Sequence, residues 1–427
     1  MRKIMYFFFA MFIASTLFSQ TYVERVFILN EGYFDYYTGE IITPVTLGAY
    51  DPESGLYAVV DEIENARFAS DIKTNGDYYY VAADKYLNKY NIYTDELVNS
   101  IEVAGIRKIA VNDNYIVVTR GEYLVEFNSY IQVYDKNTLD FIFEIDTDDL
   151  NFAAEGVVIK DNVVYVAVNN GFDFGNEVGY IAKVDLYSQS MTELIDLGAD
   201  GINPDNLMLD GDDIYTLNNK DYTGSSVSSY KISTGDLTTA NLINISSGCG
   251  TSAFIDGSIY YQEMFGTSLS KYDPVAHSLI SEDEFGLSFY ALAYDDLNDL
   301  LYTSETDYFS YGKVHIYDMS GDLINSFDVS ISPGNIAFDL RTTTSVNTTA
   351  SVEVAIYPNP VANSININSE EIIREIKITD LSGSIIQHIK NINAANLNFD
   401  VSDLIPGNYL TTVITDDAVS TKAFSKF

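Results

Sequence analysis

The segment VVIKDNVVYVAVNN, residues 157–170, holds two short apolar runs separated by Asp and Asn. Val, Ile and Tyr favour β-strands, and Asp-Asn between such runs favours a tight turn, so the segment predicts a β-hairpin. Both halves recur. The second half has counterparts in VFILN, YYVAAD, IVVTR, IYTLN, IYYQE and LYTSE.

A further marker follows each hairpin, in which Tyr or Val precedes Asp, Asn or Lys. Its apolar residue is Tyr50, Tyr90, Tyr134, Val184, Tyr230, Tyr272 and Tyr317, at spacings of 40, 44, 50, 46, 42 and 45 residues. About four short strands in roughly 40–50 residues is the period of a β-propeller blade. The seven units therefore predict an all-β chain whose main domain is a seven-bladed β-propeller.

The two ends of the repeated region predict how the ring closes. Val26 to Asn30 resembles an inner strand but has no partner strand before it. GNIAFDL, Gly334 to Leu340, is a matching strand with no partner after it. Pairing of the two would complete one blade from both ends of the chain and close the propeller.

Composition limits the classes of function. The 427 residues include 62 acidic and 23 basic ones, a net charge of -39, which disfavours binding to nucleic acids and anionic membranes. Cys249 is the single cysteine, so an internal disulfide is excluded. Trp is absent, whereas Tyr reaches 34 residues and Phe 24.

The N-terminus has the features of a secretory signal peptide. Arg2 and Lys3 precede an uncharged apolar run, Ile4 to Phe18, that is short for a membrane span. We expect a signal peptide at residues 1–19, a mature chain from Gln20, no lipoprotein anchor and no transmembrane segment in the mature chain.

The repeated region, residues 20–340, resembles the seven-bladed YncE-like propellers and the related secreted Bacteroidetes propellers that carry domain of unknown function 5074. The resemblance implies a fold rather than a function. Some members of this blade family capture cobamides at the cell surface, which implies one candidate ligand by analogy.

The chain changes character after Leu340. Residues 341–351 are rich in Thr and Ser and predict a linker. Residues 352–427 alternate in polarity and predict a small Ig-like β-sandwich. This segment closely resembles the type A C-terminal sorting domain of the Bacteroidetes type IX secretion system. The matching residues include Tyr357, Pro358, Asn359, Pro360, Gly383, Gly407, Tyr409 and Lys426. The resemblance implies the secretion machinery as a partner and a secreted or cell-surface location.

Residue types that carry catalysis or bind metals are scarce. The three histidines, His277, His315 and His388, fall in different repeats or domains, so we expect no His-based metal site. Cys249 has no evident His partner for catalysis. Acidic clusters at residues 146–149, 210–213 and 294–299 would suit Ca²⁺, but each also suits a turn between strands. We expect no cofactor, with Ca²⁺ as the one candidate.

The candidate binding surface is the mouth of the central channel, where loops leaving the second strands combine aromatic residues with Asn, Asp and Glu. Such groups suit a ligand with apolar faces and hydroxyl or amide edges. Basic residues facing the same mouth would anchor an anionic group or pair with neighbouring acids. The candidates are Asn30, Tyr33, Arg67, Arg107, Arg120, Asn169, Phe172, Asn218, Tyr222, Phe265, Asp307 and Tyr308.

Three functions fit these features. The first is a non-enzymatic propeller that binds a small molecule, a glycan or a protein outside the cell. The second is an extracellular hydrolase, lactonase or lyase that uses carboxylates and Ca²⁺. The third is a structural or adhesive scaffold.

Overall fold

The computed structural model describes residues 18–220, 224–243, 251–264, 266–345, 353–380, 385–415 and 418–427. The chain divides into two compact units, Thr21–Arg341 and a second that holds Thr342–Phe427. Within the described ranges, no helix combines the length and the apolar character needed to cross a membrane.

The first unit is built from short strands joined by tight turns. In chain order they are β1 (Phe18–Asn30), β2 (Tyr33–Asp35), β3 (Glu40–Thr43), β4 (Val45–Asp51), β5 (Leu56–Ile63), β6 (Ala69–Asn75), β7 (Tyr78–Ala83), β8 (Tyr86–Asn91), β9 (Leu97–Glu102), β10 (Ile106–Val111), β11 (Tyr115–Arg120), β12 (Ser129–Asp135), β13 (Phe141–Asp146), β14 (Ala154–Lys160), β15 (Val163–Val168), β16 (Tyr180–Asp185), β17 (Ser190–Asp196), β18 (Pro204–Asp210), β19 (Asp213–Asn218), β20 (Ser226–Lys231), β21 (Leu237–Asn241), β22 (Ser252–Ile255), β23 (Ser258–Gln262), β24 (Ser268–Asp273), β25 (Ser278–Glu284), β26 (Leu292–Asp295), β27 (Leu300–Glu305), β28 (Tyr311–Asp318), β29 (Leu323–Ile331) and β30 (Pro333–Ser345).

In the described part of the chain these strands form seven four-stranded sheets and the small hairpin β2–β3. Six sheets take four consecutive strands each, from β6–β9 to β26–β29. The seventh has the order β30-β1-β4-β5, so it combines both ends of the unit. We call it the closing blade. The predicted seven-bladed propeller and its closure by terminal strands are confirmed.

Hydrophobic side chains pack between neighbouring blades. One cluster joins Tyr80 and Leu87 of the second blade to Ile109 and Ile116 of the third. Because the middle strands are covered on both faces, strands such as β15, VVYVAV, are almost continuously apolar and buried. The outermost strands alternate, and residues such as Leu97 are exposed.

The ring closes through β30, whose partner is β1. Thr74 on β6 donates a hydrogen bond to the Phe338 carbonyl at 2.9 Å, which ties the second blade to the closing blade. Residues 341–345 continue β30, so the expected linker does not begin at residue 341. Residues 346–351 of that linker lie outside the described residues.

The second unit contains β31 (Val354–Tyr357), β32 (Ser364–Asp380), β33 (Ile385–Asp400), β34 (Gly407–Ile414) and β35 (Val419–Lys426). The sheet order is β31-β32-β34-β35, and β33 also pairs with β32. The two ends of β32 have different partners, since residues near Ile367 pair with β31 and those near Ile378 pair with β34. All these pairings are antiparallel, and the finer Ig-like assignment stays a prediction.

Candidate functional site

The central channel opens where the first strands of the blades begin and the second strands end. We call this end the mouth. A cavity of about 330 Å³ lies there. It is lined by side chains or backbone of Glu31, Phe68, Ala69, Ser70, Arg107, Lys108, Glu155, Asn169, Gly171, Phe172, Phe174, Asn203, Asp205, Asn219, Tyr290, Gly334 and Asn335.

A second cavity of about 250 Å³ lies deeper among the first strands. Lys108, Asp205, Gly334 and Asn335 line both cavities, so the channel continues inward from the mouth. The deeper wall is more polar and includes Asp71, whose carboxylate accepts the backbone N–H of Ile109 at 2.9 Å.

The cations at the mouth are held by neighbouring groups of the protein. Arg107 Nε donates to Glu155 Oε1 at 2.8 Å, and the guanidinium carbon lies 5.1 Å from the centroid of the Phe172 ring. Lys108 Nζ donates to the Ser70 carbonyl at 2.8 Å. Both cations therefore have acceptors in the wall, and the charge of Arg107 is balanced by Glu155.

Two carboxylates give the cavity its acceptor character. Glu155 is 6% exposed, and its buried Oε2 has no hydrogen-bond partner among the residues that the structure describes. Glu31 accepts a hydrogen bond from the Tyr290 hydroxyl at 2.7 Å. Burial raises the pKa of Glu31, although that hydrogen bond and the charges of Lys108 and Arg107 oppose the rise. A Cβ on Gly334 would come within 2.2 Å of Glu31 Oε1, so glycine makes room for this carboxylate.

Three of the candidate residues line the mouth cavity: Arg107, Asn169 and Phe172. Asn169 Oδ1 accepts the backbone N–H of Gly171 at 2.9 Å, which holds the loop that carries Phe172. A ligand-binding role for these three residues stays a prediction.

Three other candidates have their polar groups inside the fold and do not line this cavity. Asn30 is buried and donates to the Thr46 carbonyl at 3.3 Å. Arg120 donates to the carbonyls of Ala104 and Ser129, each at 2.8 Å. Asn218 is buried and donates to the hydroxyls of Ser226 and Ser228, each at 2.9 Å. These side chains support the loops instead of facing the channel.

The remaining described candidates lie around the cavity. Arg67 contacts Asp84 and pairs with Glu122 at 3.0 Å, and the hydrogen bond to Asp84 raises its pKa. Tyr33 packs edge-on against Phe309 at 5.5 Å between ring centroids.

Asp307 accepts backbone N–H groups of its own turn, which lowers its pKa to about 2. Tyr308 packs edge-on against Tyr290, with 5.2 Å between ring centroids. Tyr222 and Phe265 lie outside the described residues.

Sequence reasoning missed the residues at the start of the first strands. The missed residues are Lys108, Glu155, Asp205 and Asn335. Glu155 and Asp205 take the place of Arg107 in the next two blades, and Lys108 follows Arg107. A polar residue at this place in repeat after repeat is a signal that would have located the channel wall.

An outer groove of about 520 Å³ adjoins the mouth cavity at Phe172. Its wall comes from the loops of the third and fourth blades and is lined by Glu122, Leu124, Val125, Glu126, Tyr130, Asn151, Phe152, Ala153, Asn170, Phe172 and Asp173. Beside it the rings of Tyr123 and Phe174 are in contact, with centroids 6.0 Å apart, and 57% and 66% of their surfaces are exposed.

The acidic clusters act as turns where the structure describes their contacts. Asp146 accepts the N–H of Asp148, and Asp295 accepts that of Leu297. Among the described residues there is no group of three or more His, Cys, Asp or Glu placed to hold a metal ion. Cys249 lies outside those residues, and Ca²⁺ binding stays untested.

In the second unit, residues of the predicted sorting motif connect the start of the unit to its last strand, β35. Asn359 accepts the Ser425 N–H at 2.9 Å and donates to the Ala423 carbonyl at 3.1 Å. Tyr409 stacks on Phe424, with ring centroids 5.6 Å apart. Tyr357, Pro358 and Pro360 flank Asn359, Gly407 begins β34, and Lys426 ends β35, whereas Gly383 lies outside the described residues.

The family comparison concerns this second unit. Residues 355–426 match the secretion system C-terminal sorting domain. No curated protein matches the chain.

Solved propeller structures resemble the first unit in fold. A putative 6-phosphogluconolactonase from Bacteroides uniformis has a TM-score of 0.54 and 13% identity, covering 74% of this chain and 100% of its own. A quinoprotein alcohol dehydrogenase-like protein from Bacteroides thetaiotaomicron has a TM-score of 0.53 and 16% identity, covering 75% and 79%. Hydrazine synthase from Kuenenia stuttgartiensis gives 0.47 and 13%, covering 67% and 90%.

The identities are too low to indicate a shared activity, so the two structures with TM-scores above 0.5 support the fold alone. The resemblance to YncE-like propellers stays a prediction. The match over residues 355–426 shows a C-terminal sorting domain of the type IX secretion system, and the protein is therefore a secreted or cell-surface protein of the Bacteroidetes type.

Proposed function

We propose that this exported propeller is a binding protein whose ligand occupies the mouth of the central channel. The observation that carries the proposal is the convergence of side chains from separate blades on one cavity of about 330 Å³. Concave sites with apolar walls and a few convergent polar groups are the usual form of ligand pockets.

The wall offers two kinds of contact. Phe68, Phe172 and Phe174 provide ring surface, while Asn169 and Asn203 belong to a set of amides around the cavity. A small ligand with an apolar face and several hydroxyl or amide groups would match both.

The test is a thermal-shift screen of the purified full chain against sugars, short peptides and corrinoids, with Ca²⁺ and EDTA arms. A ligand that binds only the folded protein adds about 2.7 kcal/mol of stability at a hundredfold excess over its Kd. Asn335→Trp should abolish the shift, because a large ring would enter both channel cavities.

Asn137→Trp is the matched control, since Asn137 is exposed on an outer turn between β12 and β13. Equal shifts in the two variants would place binding elsewhere on the molecule. A screen without any shift would remove the binding proposal and favour a scaffold.

An enzymatic function is a second candidate, and Glu31 is the observation that favours it. Its raised pKa and its hydrogen bond from Tyr290 suit general acid catalysis, and Glu155 and Asp205 supply carboxylates in the same cavity. Hydrolysis of lactones or glycosides that is abolished in Glu31→Gln would support this candidate. Absence of turnover together with tight binding would exclude it.

A further inference from the structure

We infer that the ligand is an oligosaccharide without anionic groups, with one sugar unit in the mouth cavity and further units in the outer groove. This inference rests on the proposed binding function and adds the ligand class and a second subsite. It follows from the pairing of the charges, the spare acceptor, the exposed rings and the continuity of the two cavities.

The cations around the site already interact with groups of the protein, and Glu31 lies within reach of the Lys108 and Arg107 charges. Arg107 pairs with Glu155, Lys108 donates to a backbone carbonyl, and Arg67 pairs with Asp84 and Glu122. An anionic ligand would have to displace these partners. It would also approach a chain whose net charge is -39, so carboxylate, sulfate and phosphate groups are disfavoured.

One acceptor atom in the cavity wall, Oε2 of Glu155, has no hydrogen-bond donor among the described residues. Glu155 is buried, with 6% of its surface exposed. A buried carboxylate oxygen without a donor is costly. Oε2 itself is closed to solvent, so a ligand hydroxyl or amino group would satisfy it once the Glu155 side chain turns towards the cavity that it lines. The amide of Asn169 lies on the same wall, and amides both donate and accept, as vicinal sugar hydroxyls do.

The aromatic rings continue from the cavity to the groove. Phe172 lines both spaces, and Phe174 lines the cavity and contacts Tyr123 beside the groove. Exposed rings on one path suit the apolar faces of successive sugar units. The charged and amide side chains that line the groove are acidic or neutral, which again favours hydrogen-bond donors over anions; they are Glu122, Glu126, Asp173, Asn151 and Asn170.

The test is calorimetric titration of the purified full chain. The probes are tetramers of glucose, xylose, mannose, N-acetylglucosamine and glucosamine, their monomers, tetragalacturonate and tetralysine. We expect one neutral or amino tetramer to bind about tenfold more tightly than its own monomer, since one or two ring contacts supply that gain. Tetragalacturonate should bind at least about tenfold more weakly than that tetramer.

The double variant Tyr123→Ala/Glu126→Gln changes two exposed groove-side residues and should reduce the affinity of the tetramer to that of the monomer. The control Tyr187→Ala/Glu53→Gln changes two exposed residues away from the groove and should bind like the unmodified protein. Glu155→Gln should weaken monomer and tetramer alike, because it changes the acceptor in the cavity.

Each contrary result has a separate meaning. Equal affinity for monomer and tetramer would overturn the second subsite. Tightest binding of tetragalacturonate would overturn the exclusion of anionic groups, and tightest binding of tetralysine would overturn the sugar class. Either result would leave the channel as a binding site. Failure of every probe here, with a shift by a corrinoid in the thermal screen, would overturn this inference alone, whereas failure of both experiments would overturn the proposed function as well.

Discussion

Asp339→Asn should weaken the closing blade more than any comparable change at an exposed acid. The Asp339 side chain is fully buried on β30 and accepts hydrogen bonds from Arg25 at 3.4 Å and from Arg341 at 2.8 Å. Arg25 also pairs with Asp95 at 2.8 Å, and Arg341 with Glu24 at 3.2 Å. These five residues, which we call the closure network, join β1, β30 and a turn of the second blade.

The expected cost follows from how deeply each charge is buried. Removing one partner of a buried ion pair costs about 3–5 kcal/mol. The arginine side chains here are 18% and 24% exposed and keep a second carboxylate each, so we expect about 2–3 kcal/mol. In a unit of this size that corresponds to a fall in Tm of roughly 3–5 °C.

The assay is thermal and urea unfolding of the full chain, followed by hydrogen exchange of the β1 and β30 amides. Asp140→Asn is the control, because Asp140 is exposed on an outer turn and should change stability by less than about 0.5 kcal/mol. Faster exchange confined to β1 and β30 would show that the network holds the ring. If Asp339→Asn and Asp140→Asn behave alike, the network does not contribute to closure.

Three further substitutions test the wall of the mouth cavity and the contacts between neighbouring blades. Burial raises the pKa of Glu31 above its ordinary 4.5, so the fold loses stability as the pH rises from 4.5 through the raised pKa and Glu31 ionises. The stability of Glu31→Gln relative to the unmodified protein should therefore grow over that range, measured by urea unfolding, and a constant difference would contradict this. Lys89 is 2% exposed and donates hydrogen bonds to two carbonyls of the next blade. Lys89→Met should therefore lower the free energy of unfolding by about 1–3 kcal/mol in the same assay. The control Lys85→Met should lower it by about 0–1 kcal/mol, because Lys85 is half exposed. A Cβ at Gly156 would lie 2.4 Å from a backbone oxygen of the next first strand, so Gly156→Ala should lower stability by about 1–3 kcal/mol, while Gly224→Ala, with 3.7 Å to its nearest neighbour, should change Tm little.

The propeller was predictable because its information is local and repeated. Each blade repeats the same turn residues after the same apolar runs, and one repeat such as residues 157–170 predicts its hairpin without knowledge of distant contacts. Closure was predictable for a related reason. Val26–Asn30 and the strand after Pro333 were the two runs without a partner, and in the structure they share the closing blade.

The site was less predictable because it is made by residues from different blades. Arg107 was a candidate, but its partner Glu155 comes 48 residues later, and sequence spacing does not reveal that ion pair. Asn30, Arg120 and Asn218 had the residue types of a binding loop, yet their polar atoms satisfy buried backbone and side-chain groups. A polar residue at a strand end can therefore either bind a ligand or support the loop, and only its burial in the structure distinguishes the two roles.

The distribution of charge connects export with recognition. An exported chain with a net charge of -39 repels anions from most of its surface, and the few cations at the channel are held by Glu155, Asp84, Glu122 and a carbonyl. Because the cations have these partners, they are less able to bind an anionic ligand. The same contacts hold the carboxylates and aromatic rings of the mouth cavity in place before a ligand binds. Recognition through the Glu155 carboxylate, as we propose, would select by hydrogen-bond donors rather than by charge, and the affinity should therefore change little with salt concentration.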